Sequence, residues 1–328
     1  MPTVVTFGEA MIRLSPPDFR RIEQATSFDL TAGGAELNVA VGLARLGVDS
    51  AWVSRLPDNA LGRLCRNRAR ELGVDTSHIL WSKDDRMGLY FVEFGAAPRA
   101  SSVLYDRAGS AISRISPSEV DWASVLDGAR WFHTSGITPA LSDGAAQVAQ
   151  EAIMAAKQAS CTVSYDLNYR ARLWSQEKAR QVQSPLMQNV DVLFTTEEDT
   201  ERVFGIKAEN YQKVAELLSE QFGFQAVVIT LREDISVWRN RWSAFVYQEG
   251  QHYLGPTYEL EIVDRVGGGD SCSAGFIYKS LSGAGPQEAI NFAVAFSALK
   301  HSIPGDFNLA SEEEANRLLA GGGLRISR

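Results

Sequence analysis

Near its C-terminal end the chain reads Asp264-Arg265-Val266-Gly267-Gly268-Gly269-Asp270-Ser271-Cys272-Ser273-Ala274-Gly275-Phe276. The apolar run Tyr258 to Val263 before it is strand-like, three glycines turn the chain, and small and apolar residues from Ser271 onward predict a packed helix. Asp270 is therefore expected at or beside the helix N-cap. Glycines let consecutive N–H groups point into one concavity, where the helix dipole also favours negative charge. An anion hole with a carboxylate on its rim suits phosphoryl transfer, in which fixed donors stabilise the migrating group and a base orients the attacking hydroxyl. Gly267, Gly268 and Gly269 are the expected donors, and Asp270 the expected base. An aspartate at a helix start also simply caps orphan amides, and a glycine turn also simply turns. The triplet alone does not choose between these readings.

Other nucleotide fingerprints fail. A dinucleotide pattern started at Gly267 needs glycine at Cys272, no P-loop occurs, and the H-R-D loop of protein kinases is absent. A second constellation lies far upstream, in Ala32-Gly33-Gly34-Ala35-Glu36-Leu37-Asn38-Val39-Ala40-Val41-Gly42-Leu43-Ala44-Arg45-Leu46-Gly47. Here a glycine pair opens a helix with Leu37, Val41 and Ala44 on one face and Gly47 as its stop. Taken alone, this is an ordinary amphipathic helix. Together, the two segments resemble the paired signatures of the ribokinase-like (PfkB) sugar kinases, one beside the sugar and the other beside the phosphates. The resemblance runs from Phe7-Gly8-Glu9-Ala10-Met11-Ile12-Arg13-Leu14-Ser15 to Lys300-His301-Ser302-Ile303-Pro304-Gly305-Asp306-Phe307-Asn308. Within that family the opening, Leu104 to Ala111, Asp166-Leu167-Asn168-Tyr169-Arg170 and Asp264 to Asp270 are similar to segments of kinases acting on 2-keto-3-deoxygluconate.

Working outward, strand-like runs (Trp131 to Thr134, Thr162 to Tyr165, Val190 to Phe194, Ala226 to Thr230) alternate with helical ones (Gly144 to Ala159, Gln176 to Met187, Tyr211 to Phe222). That rhythm predicts an α/β three-layer sandwich with a mostly parallel central sheet. Alternating stretches between 11 and 31 and between 87 and 107 break the rhythm. They are expected as a small β-sheet lid on one domain spanning 1–328, as the resemblance implies, with a homodimer through that lid.

The net charge is −8 with scattered basic residues, which argues against nucleic acid and anionic membranes as partners and for small molecules. No apolar run approaches the ~20 residues of a spanning helix and no signal-peptide pattern opens the chain, so a cytoplasmic protein is expected. Cys65, Cys161 and Cys272 lack metal-ligand spacing and read as reduced, buried thiols. The four histidines are dispersed, and none receives a metal or catalytic role. The chain closes on a Gly321-Gly322-Gly323 tail.

The resemblance implies the rest of the site. It places Gly34, Asn38, Tyr90, Tyr105, Arg107, Arg170, Asp270 and Asp306 around a sugar acid, the arginines suited to a bidentate carboxylate. It places Thr196, Thr230, Arg232, Val294, Gly267 and Gly269 around ATP. Where relatives with neutral sugars often have an Asp in Gly-x-x-x-x-Asp, counting from Gly8 gives Arg13, a cation favouring a carboxylate-bearing substrate. Relatives often carry Asn-x-x-Glu after a central strand to organise Mg2+. Here the segment is Thr196-Glu197-Glu198-Asp199, with Asp199 the candidate to reach Mg2+ through water. The strand ending at Thr230 is expected to give way to a nucleotide-lining loop, Leu231 to Ser236, in which Arg232 touches a phosphate or merely pairs with an acid. A K+ beside the anion hole also belongs to the family pattern, though no residue specifies it. The implied reaction phosphorylates the C6 hydroxyl of 2-keto-3-deoxygluconate. Asp270 is expected to be a weak base because of the helix dipole. Fructokinase or ribokinase activity, a non-catalytic sugar-acid sensor, and a nicotinamide oxidoreductase are the competing readings.

Overall fold

A computed structural model describes residues 1–322, so Gly323 of the glycine tail lies outside the described residues. The chain starts with β1 (Val4–Phe7), leaves the main sheet for β2 (Met11–Ser15) and β3 (Asp29–Gly33), and returns through α1 (Ala35–Arg45) to β4 (Ser50–Val53). A short parallel pair, β5 (Arg55–Pro57) and β6 (Leu80–Ser82), brackets α2 (Ala60–Glu71), and then come β7 (Leu89–Glu93) and β8 (Ser102–Asp106). Next follow α3 (Trp122–Val125), β9 (Trp131–Ser135), α4 (Ile137–Ala140), α5 (Asp143–Gln158), β10 (Thr162–Asp166), α6 (Gln176–Met187), β11 (Val192–Thr195), α7 (Glu197–Phe204) and α8 (Tyr211–Phe222). The C-terminal third holds β12 (Ala226–Ser236), β13 (Arg239–Gln248), β14 (Gln251–Leu254), β15 (Tyr258–Glu261), α9 (Gly268–Leu281), α10 (Pro286–Lys300) and α11 (Glu312–Leu319).

The main sheet runs β14-β13-β12-β11-β10-β9-β1-β4, with β15 also paired to β13. Six strands from β4 to β12 are parallel, and β13 turns back antiparallel. Parallel strands covered on both faces bury successive residues in opposite layers. Val5, Phe7, Leu193, Val227 and Ile229 enter the core packed by α5, α6 and α8, while Val4, Val192, Phe194 and Val228 enter the core packed by α9 and α10. The expected three layers are present.

The lid is a separate sheet ordered β3-β2-β7-β8. Its register puts Thr31, Arg13, Tyr90 and Tyr105 in one cross-strand row and Leu30, Leu14, Phe91 and Leu104 in the next. Adjacent rows face opposite sides of a sheet. The first row therefore faces the cleft, where Tyr90 and Tyr105 form its wall, and the second faces away, with Leu104 54% and Leu30 38% exposed.

One expected boundary moves. The sheet does not stop at Thr230: β12 continues to Ser236, paired with β13 from Ala226↔Gln248 to Ser236↔Arg239. Cross-strand partners hold the extension, including a Glu233–Arg241 ion pair at 3.0 Å. The segment expected as a nucleotide loop is thus a ribbon that leaves the sheet beside the cleft.

Candidate active site

The triple glycine does form a cradle. Gly267 adopts φ +83° and caps α9, so Asp270 is the third residue of the helix rather than its cap. A Cβ on Gly267 would lie 2.0 Å from the Asp306 carbonyl oxygen, and one on Gly268 would lie 2.6 Å from the His301 ring, whereas nothing lies within 4 Å of that position on Gly269. The donor set also shifts. The Gly268 N–H donates to the Arg265 carbonyl at 3.2 Å, while among the described residues no acceptor engages the N–H groups of Gly267, Gly269 or Asp270. These three line the same cleft, about 960 Å³ in volume.

Asp270 is half-buried and lines this opening. The Asn38 side-chain amide donates to its Oδ2 at 2.7 Å, while Asn38 Oδ1 accepts from the Gly34 N–H at 3.3 Å. The two glycine-opened helices thus meet at Asp270. Burial pushes Asp270 up to about 6, against the Asn38 hydrogen bond and the charges of Arg170 and Lys300. This reverses the weak-base expectation: desolvation outweighs the helix dipole at this position.

On the lid side, Tyr90 and Tyr105 stack at 6.0 Å, and the Arg107 guanidinium lies 5.5 Å from the Tyr105 ring centre. Arg107 is 9% exposed and pairs through Nη2 with Glu9, while its buried Nε has no partner. Tyr90 donates to Asp306 Oδ2 at 2.5 Å. Arg13 is not available to a substrate. Its guanidinium is buried between Asp264 at 2.6 Å and Asp306 at 2.8 Å, with Nε on Ser15 at 3.0 Å. The expectation that it greets a carboxylate is corrected: two carboxylates of the chain already claim it.

On the other side, Thr196 caps α7 by accepting from the Asp199 N–H at 3.0 Å, and both residues line the cleft with Thr230 and Arg232. Arg232 pairs with Asp234 at 3.4 Å. Asp199 sits near Asp166, and burial raises both carboxyls, Asp166 strongly, with the charges of Asp270 and Asp199 adding for Asp166. Arg170 opposes this by lowering Asp166, Asp199 and Asp270, and no carboxylate among the described residues lies within ion-pair range of it. Val294 does not reach the cleft. It is fully buried in α10, packed beneath Gly255 in the apolar core.

Sequence reasoning missed several groups. Glu36 is fully buried, its Oε1 accepting from the Ser135 N–H (3.0 Å), Ser135 Oγ (2.7 Å) and Thr138 Oγ1 (2.8 Å), and burial raises it to about 7. Its signal was a glutamate two residues beyond a glycine pair in an apolar helix start. Asp166, Glu9 and His301 also line the cleft. Burial holds His301 at about 4, so its imidazole is neutral. The three cysteines are buried and free, as expected. Among the described residues no helix is long and apolar enough to cross a membrane.

Comparison with known proteins places this geometry. The profile described as pfkB family carbohydrate kinase matches residues 1–311. The chain is 38% identical over 325 residues to the 2-dehydro-3-deoxygalactonokinase of Haloferax volcanii, covering 99% of both chains. It is 32% identical to the 2-dehydro-3-deoxygluconokinase of Thermoproteus tenax, covering 97% of this chain and 94% of that one. The crystal structure of the 2-dehydro-3-deoxygluconokinase of Thermotoga maritima superposes with a TM-score of 0.95 at 50% identity, covering 97% of this chain and 98% of that one.

The raised Asp270 has a stability consequence. Its folded pKa of about 6 exceeds the ordinary 3.8, so the group's contribution is full below the ordinary value and is lost as pH rises through about 6. At about 1.4 kcal/mol per pH unit the loss near neutrality is at most roughly 3 kcal/mol. Asp270→Asn keeps an acceptor for Asn38 and removes the charge. It is expected to raise unfolding free energy near neutral pH by about 1–3 kcal/mol, read by urea denaturation, with the gain vanishing at acidic pH.

Proposed function

The chain belongs to the pfkB family of carbohydrate kinases, and from that premise we propose that it transfers the γ-phosphate of ATP to the C6 hydroxyl of 2-keto-3-deoxygluconate. The product is 2-keto-3-deoxy-6-phosphogluconate. One observation carries this reading. A single cleft has free N–H donors and the Asp270 carboxylate at one end, and a buried arginine with an unpartnered Nε, Arg107, against the lid. A substrate with a carboxylate at one end and a primary hydroxyl at the other matches that polarity.

In this mechanism Arg107, Tyr90 and Tyr105 bind the sugar acid, and Asp306 orients its hydroxyls. Arg170, close enough to affect Asp270 and Asp199 alike, meets the negative charge where sugar and phosphate join. Asp270, held by Asn38, accepts the proton of the C6 hydroxyl as the oxygen attacks phosphorus. The N–H groups of Gly267, Gly269 and Asp270 receive the charge that spreads over the transferred group. Thr196, Thr230 and Arg232 border the nucleotide. Asp166 and Asp199, both lining the cleft, fit a divalent cation arriving as the ATP chelate. They would hold Mg2+ through water, and the ion would supply neutralisation of the phosphate charge. The whole chain works as one kinase unit, with the lid excluding water from the reaction.

The similarity to a 2-dehydro-3-deoxygalactonokinase favours a second reading, in which the galactonate epimer is the better acceptor. The exposed Leu30 and Leu104 at the two edges of the outward row support a homodimer joined through the lids, since exposed apolar residues on a sheet invite pairing.

ADP release with Mg-ATP and each of the two keto-deoxy acids, fructose, ribose and gluconate tests the reading. Strong turnover is expected on a keto-deoxy acid alone, and preference for a neutral sugar overturns it. Asp270→Asn is expected to lower kcat by several orders of magnitude while ATP binding persists. Because the base must be ionised, kcat/KM should climb as pH passes through about 6. Arg107→Met is expected to raise KM for the acid roughly tenfold or more, since it removes a charge-assisted contact. Leu104→Glu should convert the dimer to monomer in light scattering, and a wild-type monomer would refute the lid pairing.

A further inference from the structure

Lys300 is among the largest fully buried side chains of the protein, and it lies directly behind the anion hole. Its Cε is 3.4 Å from where a Cβ on Gly267 would sit. Its ammonium donates to the carbonyl of Asp264, just before the cradle, at 3.2 Å, and to the carbonyl of Ile303, just after α10, at 3.1 Å. It does not line the cleft. Its charge nevertheless acts on Asp264, Asp306 and Asp270.

A hard monovalent cation such as K+ needs a cage of oxygen ligands. The oxygens behind this hole are already taken. Lys300 holds the two carbonyls, and the Asp264 carboxylate is engaged by Arg13 at 2.6 Å, the Gly305 N–H at 3.0 Å and the Val266 N–H at 3.1 Å. A K+ ion does not fit there without displacing a side-chain cation of the protein itself.

We propose that the Lys300 ammonium is the built-in counter-cation of the anion hole, a positioning residue that stands where a monovalent metal ion would otherwise be required. The inference rests on the kinase reading of the same site. A fixed ammonium does two things there. It clamps the strand-to-helix turn to the end of α10, so the Gly267 and Gly269 donors stay aimed. It also adds a positive field where phosphate charge gathers and favours the ionised form of Asp270. Unlike a bound ion, it cannot wash out.

The test begins with the wild-type protein stripped of alkali cations and kept in tetramethylammonium salt. Turnover with Mg-ATP and the keto-deoxy acids is then compared after adding K+, Na+ or NH4+ at matched ionic strength. Rates equal within about twofold are expected, and K+ activation of roughly tenfold or more overturns the proposal. Melting temperature under the same salts is a readout independent of activity. It should be indifferent to K+ in the wild type, and a K+-specific rise counts against the inference. If no acceptor is turned over in any salt, the kinase reading falls while the melting data still decide the cation question. Lys300→Met should lower kcat roughly 10- to 100-fold with KM for ATP nearly constant, the range seen when a group behind a reactive site is removed. Lys300→Ala, which opens space, should regain stability and rate with K+ or methylammonium, and failure of both cations to act on a folded variant refutes the role.

Discussion

The buried ion pairs from Arg13 to Asp264 and Asp306 are the contacts on which the rest of the site depends. Arg13 belongs to the lid strand β2, Asp264 precedes the cradle, and Asp306 follows α10. One guanidinium therefore joins three segments distant in sequence. Burying such charges costs several kcal/mol each, and the cost is offset only where geometry is good and the remaining polar atoms are satisfied. Here they are: Ser15 takes Arg13 Nε, two backbone N–H groups reach Asp264, and the Tyr90 hydroxyl reaches Asp306. Removing one partner leaves an unpaired buried charge, which typically costs about 3–5 kcal/mol. The same knot explains two glycines. Asp306 packs so tightly that a Cβ on Gly33 would fall 2.1 Å from its carboxylate, and one on Gly267 2.0 Å from its carbonyl.

Around this knot the charges are sorted. Asp166, Asp199 and Asp270 line the end of the cleft near the cradle, Glu36 is buried close enough to feel the Asp270 charge, and burial raises all four. The lid end carries Arg107 with its tyrosines. In the proposed reaction a divalent cation arriving with the phosphates would relieve the negative excess at the cradle end, and a carboxylate at the lid end would meet the unpartnered Nε of Arg107. Specificity then comes from the ordering of charge along the cleft as much as from any single contact.

Much of this was legible in the sequence, and the parts that were not share a cause. The strand and helix rhythm from Trp131 to Phe222 follows from local periodicity, and the glycine turns before α1 and α9 from glycine's conformational freedom, so those elements fall where expected. Asn38 and Asp270 were both identified, but the bond between them joins residues far apart in sequence. Arg13 was misread for the same reason: its position promised a free cation, and only the fold reveals the two acids that hold it. Val294 sits in α10, no residue of which lines the cleft, and a helix buried on nearly every side does not advertise in sequence which neighbours it packs against. Residues 231–236 were expected as a loop from the family resemblance, yet β13 pairs with them and supplies Arg241 opposite Glu233. Lys300 carried no warning of burial, and Glu36 only its place in an apolar helix start, since charged residues are usually exposed and become interior only when tertiary partners exist for them.

Asp270 shows why local rules invert at such a site. At the third position of a helix, the macrodipole stabilises a carboxylate by about 0.3–1 kcal/mol where solvent is near, rising to ~2 kcal/mol in partly buried geometries. The raise from 3.8 to about 6 is a penalty of comparable or larger size in the opposite direction. Burial wins because it removes the water that would solvate the charge, and the Asn38 amide and the cations Arg170 and Lys300 restore only part of that solvation. The outcome is a carboxylate basic enough to take a proton yet ionised near neutrality, closer to the operating pH than an exposed aspartate would be. A helix start in open solvent would have made a better anion and a poorer base. In the proposed reaction the cradle's depth, set by the Arg13 and Lys300 contacts beneath it, is therefore part of the chemistry.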